Sequence, residues 1–191
     1  MSALKKVFLT FDDGPSVPST PRILDILKEF NVKASFFVCG KNAEKFPEIT
    51  ERIAKEGHTI GNHTFSHSFI LTLSGLLIKE IEKTNDVIKK ITGIETKFFR
   101  PPWGFLTPWL KKYLDKKNFK ILFWDINSFD WTGLSYKIIE KRILKNVKSN
   151  SIILFHDGNG GKFFCNRLNT ISLLPTLIKN LRESGYTLEK L

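Results

Sequence analysis

The sequence predicts an α/β protein whose parallel strands alternate with outer helices and close into an imperfect barrel. Seven short apolar or β-rich runs recur along the 191 residues, and segments of helical periodicity lie between most of them. Repeated strand–helix alternation indicates right-handed crossovers and a parallel sheet. No linker rich in Pro, Gly or Ser and no block of like charge divides the chain, so we expect one domain over residues 1–191.

The strands are predicted from short apolar runs, several of them nearly continuous and not alternating. Such runs are typical of strands that are buried on both faces, as in parallel sheets. The seven predicted strands are 5–11, 33–40, 58–64, 96–102, 120–127, 151–157 and 186–191.

The helices are predicted from apolar stripes and from residues typical of helix ends. The first should have Thr20 as its N-cap with Pro21 at the first helical position, and Gly57 and Gly93 should end the second and third. The six predicted helices are 19–31, 47–57, 74–93, 107–118, 135–150 and 173–184.

Composition narrows the class of protein. The hydrophobic fraction of 41% is ordinary for a globular chain, and no window reaches ~18 uncharged apolar residues, so no spanning helix is expected. The start lacks the features of a signal peptide, which fits either a cytoplasmic protein or part of a longer exported one. The net charge of +11 is compatible with an anionic membrane surface but does not require one. No nucleic-acid motif accompanies the charge, so no nucleic-acid partner is expected.

Polar clusters fall at the carboxyl ends of the predicted strands, where parallel α/β folds build their sites. His63 and His67 in "GNHTFSH" could bind a metal ion together with a carboxylate from another strand. Either Asp12 or Asp13 in "TFDDGPS" could supply it, because a tight turn at Gly14-Pro15 would let both carboxylates face one site. No Cys-x-x-Cys pair offers thiolates to zinc.

Five motifs appear in an order and spacing that resemble the polysaccharide deacetylases, the NodB homology domain of carbohydrate esterase family 4. They are "TFDDGP", "HTFSH", "RPPWG", "DINSFDW" and "LFHDG". The resemblance implies a distorted (β/α)7 barrel, similar to a TIM barrel, with a divalent metal ion. That ion is usually Zn²⁺ and sometimes Co²⁺ or another.

The resemblance also implies roles for residues of this chain. Asp13, His63 and His67 are similar to the family's metal ligands. Asp12 resembles the general base and His156 the general acid.

Five further residues resemble the family's supporting groups. Arg100 resembles the arginine that positions the base, and Asp130 the carboxylate that tunes the acid. The backbone N–H of Trp103 resembles the oxyanion donor. Trp131 and Leu154 resemble the apolar pocket for the acetyl methyl group.

Other polar and aromatic residues are interpreted as structural. His58 lies outside the motifs, and Asp125 and Asp157 are expected to brace loops. Trp124 lies within an apolar run and is expected in the core. The glycine-rich "GNGGKFF" after the last motif is expected to be mobile. "SFILTLS" and "NGGKFFCNRLNT" are the candidate loops that shape the substrate subsites.

The resulting hypothesis is a monomeric, metal-dependent hydrolase that removes acetyl groups from N-acetylglucosamine in a glycan such as peptidoglycan or a chitin-like oligomer. Three alternatives stay open. The enzyme could be an O-acetyl esterase acting on a xylan-like polymer, it could deacetylate lipid-linked amino sugars, or the chain could be a binding module without catalysis.

Overall fold

The structure is a computed structural model that describes residues 5–74 and 76–191. Strands in this part of the chain are β1 Lys5–Asp12, β2 Val17–Pro18, β3 Ser35–Val38, β4 Thr59–Asn62, β5 Phe98–Phe99, β6 Lys120–Ile121, β7 Ile126–Asn127, β8 Ser151–His156, β9 Phe164–Cys165 and β10 Tyr186–Glu189. Helices there are α1 Ser19–Glu29, α2 Gly40–Lys45, α3 Pro47–Lys55, α4 Phe69–Ser74, α5 Ile78–Thr92, α6 Pro108–Lys116, α7 Tyr136–Asn146 and α8 Leu168–Glu183.

The main sheet is parallel and has the order β6-β5-β4-β3-β1-β8-β7, with β10 paired to the start of β1. β1 is its centre, because β8 runs along one edge while β10 and β3 share the other. The predicted fold class, a distorted barrel of parallel strands with outer helices, is confirmed.

The predicted strand 120–127 forms two short strands that lie at opposite ends of the sheet order. β6 pairs with β5, and β7 pairs with β8. Between them, the Leu122 N–H donates to Phe99 O and the Asp125 N–H donates to Ile152 O. One run of chain therefore spans the gap between the two ends of the sheet, which closes the barrel imperfectly.

The alternation of β1 separates the core from the site. Val7, Leu9 and Phe11 are fully buried in the main hydrophobic cluster. Thr10 and Asp12 occupy the alternate positions, which face the other side of the sheet, and both accept hydrogen bonds there from Arg100. The barrel interior at this end is therefore polar, while the apolar core lies between the sheet and the helices.

All six predicted helices are present, and the first two begin at the predicted residues. Thr20 is not the N-cap: α1 begins at Ser19, and the Thr20 hydroxyl accepts from the Ser16 N–H inside the first turn. The third predicted helix begins at Ile78 instead of 74, and the last begins at Leu168 instead of 173. Gly57 and Gly93 follow their helices in left-handed conformation, as predicted.

Two features were not predicted. α2 fills the connection between β3 and α3, and β2 pairs with β9 in a small separate sheet. "SFILTLS" is not a loop throughout, since it contains α4. Among the described helices, none combines the length and apolar character needed to cross a membrane.

Candidate active site

A cavity of about 570 Å³ opens at the carboxyl ends of the strands. Eight of the ten predicted site residues line it, and they are Asp12, Asp13, His63, His67, Trp103, Trp131, Leu154 and His156. The other two, Arg100 and Asp130, are buried behind the wall and bond to Asp12 and His156 respectively. The structure thus brings all ten together from five separate segments of the chain.

Asp13, His63 and His67 form a compact donor set. Their ligand atoms all lie within 4.8 Å of one another. Asp13 Oδ1 lies 3.4 Å from the Nε2 atom of His63 and 3.2 Å from that of His67. Two imidazoles and one carboxylate suit zinc and similar divalent ions and leave coordination positions open for water and substrate.

The tautomer of His63 supports this fit. Its Nδ1 atom lies 2.7 Å from the Arg100 carbonyl oxygen, which is an acceptor, so the ring must donate its N–H there. In the neutral ring, the lone pair of Nε2 therefore lies on the side that faces Asp13. A backbone carbonyl that fixes the ring of a metal-binding histidine in this way is a common supporting contact.

The turn after β1 explains how neighbouring carboxylates reach one cavity. Asp13 has a φ of 78°, a left-handed conformation that reverses the alternation of the strand. Gly14 packs against the Asp157 carboxylate so closely that a Cβ atom would overlap it. The Asp13 carboxylate also accepts from the Gly160 N–H at 2.9 Å, and the Asn42 amide donates to the Asp13 carbonyl.

The charges of the donor set perturb one another. Burial opposes ionisation of Asp13, but its hydrogen bond with His63 and the nearby histidine charges hold the pKa of that carboxyl far below its usual range. Burial and the charge of His63 lower the pKa of His67 to about 4. Burial also acts to lower the pKa of His63, but Asp12 and Asp13 outweigh it and raise that pKa. Asp13 is therefore ionised and His67 neutral near neutral pH, as metal ligands must be.

Asp12 is held by a fully buried arginine. The Arg100 side chain has no exposed surface, and its Nη1 atom donates to Asp12 Oδ1 at 2.8 Å. The same guanidinium donates to the carbonyls of Leu122 and Phe123, and it lies over the Phe37 ring. Asp12 Oδ2 lies 3.8 Å from His63 Nε2, so this carboxylate is near the donor set while its other oxygen is bound to Arg100.

His156 forms a second pair at the end of β8. Its Nδ1 atom lies 2.9 Å from Asp130 Oδ1, and its backbone N–H donates to Asp130 Oδ2. The Thr170 hydroxyl donates to Asp130 Oδ2 as well. Burial acts to lower the pKa of His156, but the hydrogen bond and charge of Asp130 outweigh it and raise that pKa. The imidazolium form is thereby favoured, with Nε2 left to face the cavity.

Trp103, Trp131 and Leu154 supply the apolar part of the wall. The ring centroids of Trp103 and His67 lie 4.2 Å apart. The Trp131 ring lies edge-on to His156, with 4.7 Å between the ring centroids. Trp103 has a φ of 54°, and its backbone N–H has no acceptor in the described chain. Leu154 is only 3% exposed and shares the cavity with both tryptophans.

Six more residues line the cavity, for which no individual role at the site was predicted, namely Trp124, Asn127, Asn159, Gly160, Lys162 and Arg167. Trp124 was predicted in the core, and this was wrong, because the indole faces the cavity beside Gly104. Four of the six lie in "NGGKFFCNRLNT", the segment predicted to shape subsites, and Gly160 of this segment bonds to Asp13.

The other three residues interpreted as structural, His58, Asp125 and Asp157, do not line the cavity and make hydrogen bonds within the fold. His58 Nδ1 accepts from the Ala34 N–H, and burial lowers the pKa of the ring to about 4. Asp125 accepts from the Ile152 N–H. Asp157 accepts from the Thr20 hydroxyl, and burial raises the pKa of its carboxyl to about 7.

Two curated proteins of known name match almost the whole chain in sequence. The chain is 41% identical over 181 residues to a peptidoglycan-N-acetylglucosamine deacetylase of Bacillus cereus, covering 94% of this chain and 64% of the relative. It is 34% identical over 185 residues to the peptidoglycan-N-acetylmuramic acid deacetylase PdaC of Bacillus subtilis, covering 96% of this chain and 37% of the relative. The chain thus spans less than two thirds of the length of either curated relative.

A solved structure of a deacetylase has a similar fold. The Bc1960 peptidoglycan N-acetylglucosamine deacetylase, crystallised with a hydroxamate-bearing ligand, superposes with a TM-score of 0.89 at 39% identity. The match covers 98% of this chain and 86% of that one. Residues 2–124 also match the family described as polysaccharide deacetylase. The chain belongs to the polysaccharide deacetylase family.

Proposed function

We propose that the protein is a metal-dependent hydrolase that releases acetate from N-acetylglucosamine residues of a glycan, with peptidoglycan as the first candidate. The arrangement of Asp13, His63 and His67 between Asp12 and His156 in one cavity supports this most strongly. The curated relatives carry peptidoglycan deacetylase names. All ten site residues come from one chain, so we further propose a monomer with one catalytic domain over 1–191.

The donor set would hold a divalent ion, for which we propose Zn²⁺. When bound, such an ion polarises a carbonyl oxygen and lowers the pKa of water toward ~7. Asp12 is the group placed to accept the proton of the attacking water, since one oxygen is bound to Arg100 and the other faces the donor set. Arg100 keeps this carboxylate oriented through the hydrogen bond from Nη1 to Oδ1.

His156 is placed to protonate the leaving nitrogen of the amide. An amine leaves a tetrahedral centre poorly unless it is protonated, so an acid must reach its nitrogen. His156 lines the same cavity, and Asp130 favours its protonated form. The proton moves from His156 Nε2 to the leaving nitrogen, while Asp130 holds the ring through Nδ1.

The remaining wall positions the acetyl group. The Trp103 N–H is free to donate to the carbonyl oxygen as negative charge develops on it. Trp131 and Leu154 offer an apolar surface for the methyl group. A pocket that accepts acetyl and excludes longer acyl chains would account for deacetylation as the reaction.

Acetate release tests the proposal. Purified protein supplied with Zn²⁺ or Co²⁺ should release acetate from an N-acetylglucosamine tetramer and from peptidoglycan, and His63→Ala should abolish release. His58→Gln is the matched control, because it removes a histidine outside the cavity and should keep activity. Metal-loaded wild-type protein that releases no acetate from either glycan would overturn the proposal. Faster release from acetylated xylan would assign the activity to ester bonds instead.

A further inference from the structure

We propose that Lys162 and Arg167 form a subsite for a carboxylate on the sugar next to the one that is deacetylated. This inference rests on the proposed function and narrows its substrate to acidic glycans. Both residues line the same cavity as Asp13, His63 and His67. An anionic group held there would belong to the same substrate molecule as the acetamide.

The two cations lack anionic partners. Within the described chain, neither Lys162 nor Arg167 has a carboxylate oxygen within 4.0 Å. By contrast, Arg52 contacts two carboxylates and Arg100 contacts Asp12. A third cation stands nearby, since Lys41 Nζ approaches Gly161. Charged side chains at a cavity wall without a counter-charge are available to a charged ligand.

The loop that carries the subsite is braced. The Arg167 Nε and Nη2 atoms both donate to the Gly158 carbonyl, and its backbone N–H donates to Ser19 Oγ. The Lys162 carbonyl accepts from the Asn42 amide, whose nitrogen also donates to the Asp13 carbonyl. Because these contacts tie the loop to α1 and α2, less ordering entropy is lost when a ligand binds.

Lys162 and Arg167 make this part of the cavity wall positive, which favours an acidic ligand. A carboxylate can accept from the free N–H groups of a guanidinium and from an ammonium at once, in charge-assisted hydrogen bonds that are worth roughly twice a neutral one.

A carboxylate next to N-acetylglucosamine has two chemical sources. One is the lactyl ether of a neighbouring muramic acid whose carboxyl is not joined to a peptide. The other is the C6 carboxylate of a neighbouring uronic acid. Both place one negative charge a single sugar away from the acetamide.

The test compares three oligomers of matched length. They are a neutral N-acetylglucosamine tetramer, a peptide-free alternating N-acetylglucosamine–N-acetylmuramic acid tetramer, and an alternating N-acetylglucosamine–glucuronate tetramer. Wild-type protein should prefer at least one acidic oligomer in kcat/KM. In Lys162→Gln and in Arg167→Gln the ratio of kcat/KM for acidic over neutral oligomers should fall about tenfold, mainly through KM. Lys116→Gln, an exposed lysine on α6, is the control and should keep the wild-type ratio.

Binding measurements separate this proposal from the proposed function. Calorimetric titration of metal-loaded protein with each oligomer needs no turnover, so it reports the subsite even if no acetate appears. Equal affinity for acidic and neutral oligomers would overturn the subsite and leave the deacetylase proposal standing. An unchanged ratio in both variants would do the same and leave Arg167 as a brace of Gly158 only. Preference for the muramic or the glucuronic oligomer names the source of the carboxylate.

Discussion

The two ends of the strands differ in which residues adopt a left-handed backbone. Turns that lead from a helix into a strand use glycine or asparagine at this conformation, and these are Asn31, Gly57, Gly93, Asn118, Asn150 and Gly185. Turns that lead out of a strand, at the cavity end, also place residues other than glycine and asparagine there. These are Asp13, Thr64, His67, Trp103 and Phe129, with φ between 52° and 78°.

The difference shows where the protein tolerates strain. A left-handed residue with a Cβ atom is disfavoured by about 1–2 kcal/mol, while glycine escapes this and asparagine is partly tolerated. Two of the five strained positions at the cavity end, Asp13 and His67, are predicted metal ligands. Trp103 is the predicted oxyanion donor. At the other end the turns only connect elements, so low-strain residues suffice there.

The largest expected effect comes from the neighbouring aspartates of the first turn. Asparagine adopts the left-handed conformation readily, so Asp13→Asn should leave the backbone in place and remove a charged ligand. It should lose Zn²⁺ or Co²⁺ affinity and, with it, activity. Asp12→Asn should keep the metal and lose roughly 10²–10⁴-fold in kcat, the range of a missing general base. Calorimetric metal titration and acetate release measure the two properties separately.

Equal loss of metal in both variants would show that the two carboxylates act as one ligand set. Asp12 ends β1 in extended form, whereas Asp13 turns out of the strand. These two backbone conformations would then not correspond to two different chemical roles.

Sequence reasoning reached the fold, and the structure brings its ten predicted site residues together, because both predictions depend on local signals. Apolar runs and strand ends are local, and so are motifs such as "TFDDGP" and "RPPWG". It failed where the outcome depends on distant contacts. Nothing in 120–127 marks the point at which its partner changes from β5 to β8. The bond between Gly160 and Asp13 joins positions 147 residues apart.

Trp124 illustrates the same limit. A tryptophan in an apolar run is expected to be buried, and only the imperfect closure of the barrel turns it toward the cavity. The start of α1 is similar, because Thr20 gives up the capping position to bond with Asp157, a residue that lies far away in sequence.

His156, the predicted general acid, differs from the left-handed site residues. Its backbone is not left-handed, and a hydrogen bond with Asp130 orients its ring instead. Asp130→Asn should lower kcat roughly 10–100-fold, as loss of an orienting carboxylate typically does. Asp130 raises the pKa of His156, and a general acid works only below its pKa. The alkaline limb of the pH–rate profile should therefore move to lower pH. An unmoved limb would contradict the assignment of His156 as the acid.

A smaller effect on activity is expected at Trp103, where one substitution should lower kcat/KM but relieve backbone strain. Trp103→Asn removes the ring that contacts His67 and should lower kcat/KM about tenfold. The substitution also relieves the left-handed strain at position 103. The free energy of unfolding of the Trp103→Asn variant should therefore exceed that of the Trp109→Asn variant by about 1 kcal/mol. Trp109 is the matched control, since it is equally exposed but helical. Equal stabilities in urea denaturation would show that the Trp103 backbone is not strained.

The smallest effect is expected at the opposite end of the strands, where Gly93 ends α5 with a φ of 73°. No atom lies within 4 Å of the position that a Cβ would take, so Gly93→Ala changes only the backbone preference. It should cost about 1 kcal/mol and lower Tm by about 2–4 °C. Gly93→Asn should cost less, and kcat/KM at 25 °C should match the wild type in both. A change in kcat/KM with an unchanged Tm would contradict the difference between the two ends of the strands. The backbone conformation of Gly93 would then contribute to the reaction and not to stability.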